Sequence, residues 1–216
     1  MKINTWQEIR GSYTTQNMEG DSTALPFLEF IAVEEKVAAA GNQGIANTWT
    51  SGQIPGLLQT NSYALGLMVS DHERHAAIRM ARGRLMSAAG VAMNFLVERE
   101  GLDLRVASYV AGGKAAVIDE QLNHLIDTLE EDMEGANQID FRLVPRQADA
   151  IEDYLGKPTI ILLDDGEAHY GFREGASRIE RLNDAETSHQ YQLWAATGSV
   201  ALDRESSLDH LRQLLP

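Results

Sequence analysis

Between Val117 and Met133 the apolar side chains fall at 118, 122, 125, 126, 129 and 133, the three-to-four spacing of an amphipathic helix. A second helix is expected over Leu25–Ala40, with apolar residues at 25, 28, 31, 32 and 38–40, closed by Gly41. A third, Asp71–Ala88, buries Ala76, Ile78, Met80, Ala81 and Leu85 and places Asp71 and Glu73 favourably at its dipole's positive end. A period of two takes over at Ile139–Val144, where Ile, Phe and Leu alternate with Asp and Arg until Pro145. Leu102, Leu104 and Val106 follow the same alternation, so Leu102–Val110 reads as a strand, as does the short apolar run Met93–Val97. Thr159–Leu163 reads as an interior strand that turns at Asp164-Asp165-Gly166 into His169–Arg173, since Asp-Gly between such runs marks a hairpin. Gly41–Gln53, with three glycines, reads as a loop or a short extended piece around Trp49, and Ala185–Thr197 and Ser207–Leu215 as helices. This order predicts an α+β fold: a small mixed or antiparallel sheet packed with several helices, with helical N- and C-terminal parts. Residues 1–22, mixed polar with Gly11 and Gly20, form an N-terminal appendage to one domain over 23–216.

Ile54-Pro55-Gly56-Leu57-Leu58-Gln59-Thr60 interrupts this regular pattern. Proline fixes φ and disfavours helix for the residue before it, and Gly56 admits backbone angles closed to other residues, so the chain bends sharply between apolar contacts. Thr60 stands where an N-cap would open a helix over Asn61–Met68.

Composition narrows the function. The 216 residues carry 18 Lys+Arg against 32 Asp+Glu, a net charge of −14 that opposes a phosphate backbone, so direct nucleic-acid binding is not expected. No run of about 18 apolar residues suits a membrane span, and no basic-then-apolar leader opens the chain, so a cytoplasmic protein without membrane contact is expected. The absence of cysteine rules out disulfides, cysteine-ligated zinc and a cysteine nucleophile.

His72 and His75 are three apart on the expected helix, but without an HExxH pattern they read as a solvated helix start, and no metal is assigned. Gly112-Gly113-Lys114 lacks the first glycine and the hydroxyl residue of a phosphate loop and reads as a flexible loop. Glu98 and Glu100, at alternate strand positions, would share a face, where two close carboxylates could form an acid/base pair. His169 beside the hairpin is a further acid/base candidate. Trp49, Tyr63 and Trp194 with Met68, Met80 and Met93 would line an apolar pocket if they converged. No nucleophile elbow or dinucleotide fingerprint is present, and no cofactor is implied.

The run IPGLLQT with Tyr63-Ala64 resembles the "(V/I)PGLLQT-x-x-YA" signature of the C-terminal effector domain, often labelled antitoxin-like, of actinobacterial XRE-type helix-turn-helix regulators of the WhiJ group. Other segments extend the likeness. LPFLEFIAVEEKVAAA (25–40) resembles the family's FLELEAEA helix, and IRMARGRL (78–85) resembles LRLARQALL, with Arg79 and Arg82 on its two arginines and Gly83 in place of glutamine. FLVEREGL (95–102) resembles its F-x-x-x-E-x-x-L strand, EQLNHL (120–125) resembles EQLEHL, and GFREG (171–175) resembles VYVEG, which puts Glu174 on the acidic position. Two departures stand out: the DNA-binding domain is absent, and Val106–Val117 looks like an insertion rich in alanine and glycine.

The resemblance implies a regulatory, effector-like domain that binds a small molecule or a short partner protein. The turn, the arginine helix and the GFREG strand would form one concave site, with Trp49, Pro55, Gly56, Leu57, Gln59, Tyr63, Arg79 and Arg82 as ligand-binding candidates. The alternative is a repurposed cofactor-independent biosynthetic enzyme of cyclase or isomerase type, for which Glu98, Glu100, His169 and Glu174 would supply acid and base. A partner-binding module that packs through the insertion is a third reading, and a homodimer is left open.

Overall fold

A computed structural model describes residues 3–14, 24–67, 72–136, 138–146, 159–174 and 179–215. The described helices are α1 Trp6–Thr14, α2 Ala24–Ala39, α3 Asn61–Leu67, α4 His72–Ala88, α5 Arg99–Ala111, α6 Ala115–Glu134, α7 Asp184–Val200 and α8 Arg204–Gln213. The strands are β1 Ile45–Thr50, β2 Ala92–Glu98, β3 Ile139–Val144, β4 Thr159–Asp164, β5 His169–Glu174 and β6 Ile179–Arg181. The fold is α+β around one mixed sheet of order β3-β2-β1-β4-β5-β6. β1, β2 and β3 run parallel, and β4, β5 and β6 continue the sheet in antiparallel fashion from β1.

The two faces of the sheet are unequal. Met93, Phe95 and Val97 of β2 align with Ile139, Phe141 and Leu143 of β3 on one face, where α1, α2, α4, α5 and α6 deliver the large core. The opposite face buries Trp49, Leu96, Val144, Ile160 and Leu162 beneath Tyr191, Leu193 and Trp194 of α7. α1 belongs to the large core, with Ile9 fully buried and Arg10 ion-paired to Glu35 of α2.

Two expectations are corrected. Leu102–Val110 is helix, not strand: Leu102, Val106 and Tyr109 are buried at helical spacing, and Leu104, which completed the alternation, is 65% exposed. Glu100 consequently lies in the first turn of α5, whereas Glu98 ends β2, so the two do not share a strand face. Of the two readings of Gly41–Gln53, a loop or a short extended piece around Trp49, the second holds: it contains β1, which is central to the sheet. Its buried Asn47 is tolerated there because Asn94 Nδ2 donates to Asn47 Oδ1 at 2.8 Å across the β1–β2 register. β6, three residues long, had no periodic signal. The stretch read as an insertion, Val106–Val117, is the second half of α5 joined to α6 through Gly112 and Gly113. Met68 and Asp71 lie outside the described residues, as does the side chain of His72.

Candidate functional site

The carboxyl ends of β1, β2 and β3 share one edge of the sheet with the start of β4 and the end of β5, because Trp49 pairs with Ile160 and Thr159 with Glu174. The connection after β1 is the IPGLLQT turn, which contains a short 3-10 helix, Gly56–Leu58, closed by Leu58 N–H to Pro55 O at 2.9 Å. Ile54, Pro55 and Leu58 are buried, and Leu57 packs on the core. Thr60 acts as the N-cap of α3: its hydroxyl accepts from the Tyr63 N–H at 3.2 Å.

Three elements hold this turn. Gln59 donates to Ile54 O at 2.7 Å from Nε2, and its Oε1 accepts from Arg79 Nη1 of α4 at 2.9 Å. Arg79 Nη2 reaches Glu174 Oε1 of β5 at 3.4 Å. Gln121 of α6 accepts from Thr60 N–H at 2.7 Å and donates to Leu58 O at 2.9 Å, satisfying two main-chain groups that the turn leaves unpaired. Gly83 of α4 permits this approach, because a Cβ there would stand 2.5 Å from Leu57 O.

Arg82, one turn beyond Arg79 on α4, pairs Nε and Nη2 with the two carboxylate oxygens of Glu34 from α2 at 2.6 and 2.7 Å. Its guanidinium also lies 4.7 Å from the Phe30 ring centroid. Burial pushes the Glu34 carboxyl above its ordinary value; Arg82 acts against that shift, and the charge of Glu174 adds to it. The turn, α4 and β5 are thus joined in one network, Gln59–Arg79–Glu174, with Arg82–Glu34 beside it.

The remaining candidates lie elsewhere. Glu98, 2% exposed, holds Arg146 at 2.6 Å, while Glu100 accepts from Arg146 N–H at 2.8 Å and from Arg99 at 2.7 Å. Burial would raise the Glu100 carboxyl, but the hydrogen bonds from Arg146 and Arg99 outweigh it and set it below its ordinary value. β2 and β5 are three strands apart, about 14 Å, and Glu98 faces α7 while Glu174 shares the face of Phe172. His169, paired with Asp164 at 3.1 Å and tilted against Tyr191, sits at the opposite end of β5 from Glu174. The four acid/base candidates thus occupy three separate places. Trp49 and Trp194 lie on the α7 face, whereas Tyr63 and Met93 belong to the large core, so no shared aromatic and thioether lining forms. Among the described residues, no group of three or more His, Asp or Glu could hold a metal ion.

Sequence reading missed Glu34 and Gln121, although both sit on apolar stripes: Glu34 is four after Phe30 and three before Val37, and Gln121 three after Ile118 and four before Leu125. A polar residue in such a phase is the available signal for a buried hydrogen-bonding role.

A family model described as a domain of unknown function, DUF5753, matches residues 44–213. The chain belongs to the DUF5753 family. No curated protein and no solved structure matches it. The DUF5753 match spans β1 to the end of α8, so Gln59, Arg79, Arg82, Gln121 and Glu174 lie inside it, and Glu34 is supplied by α2, which precedes it.

Proposed function

We propose that this DUF5753 chain is an effector-type regulatory domain that binds a small molecule or a short partner protein and does not itself bind DNA. The resemblance to the effector domain of the WhiJ-group regulators supplies the class. The observation that carries the reading is the Gln59–Arg79–Glu174 network, which ties the signature turn to α4 and β5 at the carboxyl edge of the parallel strands. Open sheets with parallel strands bind ligands at that edge, where loops from several strands meet. Arg79 uses few of its five donors in these contacts and its side chain is 18% exposed, so it can engage an incoming acceptor. The net charge of −14 supports a function apart from the phosphate backbone.

Binding is favoured over catalysis because the acid/base candidates are dispersed, and proton transfer to one substrate needs groups within hydrogen-bond reach of it. Native mass spectrometry of protein purified from its own host tests the proposal. A noncovalent small molecule or short chain should be retained, and lost on Arg79→Ala. A bare chain from cells, with no binding restored by host extract, would overturn it.

A further inference from the structure

We propose that the hollow between α3, the end of α5 and the start of α6 binds the phosphate or carboxylate group of a small ligand. Gly66, Arg105, Ser108, Tyr109, Gly112 and Lys114 line a hollow of about 260 Å³, and no carboxylate is among them. In a chain with 32 acidic and 18 basic residues, this hollow carries two cations and no acid.

Arg105 sharpens it. Ten of the described arginines hold a carboxylate. Arg74 and Arg84 each bond a backbone carbonyl. Arg105 alone among the described arginines has no hydrogen bond or ion pair, although it is half-buried. A partly desolvated guanidinium gains most from a charge-assisted partner, and its planar fork matches a carboxylate or phosphate. Lys114 stands 5.6 Å from the Tyr109 ring centroid on the same wall, and the Tyr109 and Ser108 hydroxyls make no hydrogen bond among the described residues. The donor set is therefore two cations and two hydroxyls facing one space.

Gly112-Gly113-Lys114 takes a different part here from a phosphate loop: it joins two helices, with Gly113 at φ +72°, and so turns Lys114 back toward Arg105's wall. The hollow also communicates with the signature turn. Tyr109 stacks on Tyr63 with centroids 5.3 Å apart, and Tyr63 N–H is held by Thr60. The inference rests on these contacts and stands apart from the Arg79 network.

The test is an amide NMR titration with inorganic phosphate, and separately acetate, at constant ionic strength against chloride. Saturable shifts at Gly66 and Gly112 are expected, with affinity falling about tenfold in Arg105→Gln and also falling in Lys114→Gln, whose exposed position leaves folding intact. Tighter phosphate binding would assign a phosphorylated ligand, and tighter acetate binding a carboxylate. Shifts no larger than those from chloride, or undiminished affinity in both variants, would overturn the proposal.

Discussion

Glu34 occupies a position where an apolar residue would complete the buried face of α2, and its side chain is 1% exposed beside Arg82. A buried carboxylate holds its charge only through its partner, so removal of the arginine leaves an uncompensated charge rather than one lost contact. Because burial raises the Glu34 carboxyl above 4.5, the folded chain binds this proton more readily than the unfolded chain does. The group therefore favours folding at acid pH, and that contribution fades as pH climbs from 4.5 through the raised value. Arg82→Met removes the opposing charge and widens the window. Urea denaturation should show a loss of about 1 kcal/mol near pH 4, from the missing hydrogen bonds, growing to about 3–5 kcal/mol at pH 7.5. A loss independent of pH would show that Glu34 is not the group left behind.

At the scale of elements, the turn after β1 is seated by contacts that depend on backbone proximity. Gly83→Ala places a methyl 2.5 Å from Leu57 O, inside the helix–turn contact, and neither backbone can rotate away as a flexible side chain would. The expected cost is about 1–3 kcal/mol, the range for overpacking, with faster amide exchange confined to residues 54–60. Slowed or unchanged exchange there would mean that the turn is not held against α4. Elements whose burial follows a simple period were legible in the sequence: α6, α4, β3 and the β4–β5 hairpin all lie where apolar spacing and Asp-Gly predicted. The helix α5 was not, because Leu104 mimics a strand alternation while pointing to solvent. β1 was only half legible, as a loop or a short extended piece, because its asparagine is paired by Asn94 of a strand more than forty residues later. The site shows the same division. Gln59, Arg79 and Glu174 were found through the motif, but Glu34 and Gln121 act through partners that no local pattern names.

The whole molecule is an asymmetric sandwich, with most helices on one side of the sheet and α7 on the other. Sub-global opening follows the distribution of buried apolar contact, and among the described residues the core of the α7 face buries Trp49, Leu96, Val144, Ile160 and Leu162. α7 itself contributes half-buried Tyr191, Leu193 and Trp194, flanked by buried polar Thr187, Gln190 and Thr197. Its N-terminus is secured by a capping box in which Asn183 accepts from Glu186 N–H at 3.0 Å and Glu186 accepts from Asn183 N–H at 3.0 Å. Three buried polar residues and a cap contribute at most about 1 kcal/mol apiece, less than the several apolar side chains that fix α6, where Ile118, Leu122, Leu125 and Leu129 are each under 5% exposed. Native-state hydrogen exchange in low urea should therefore show α7 amides exchanging through an opening of lower free energy than those of α6. Trp49, fully buried under α7, provides the optical counterpart: its emission should shift red at a urea concentration below that of global unfolding. If α7 and α6 exchanged at one common free energy, the smaller face would be as cooperative as the larger, and Trp49 would report only the global transition.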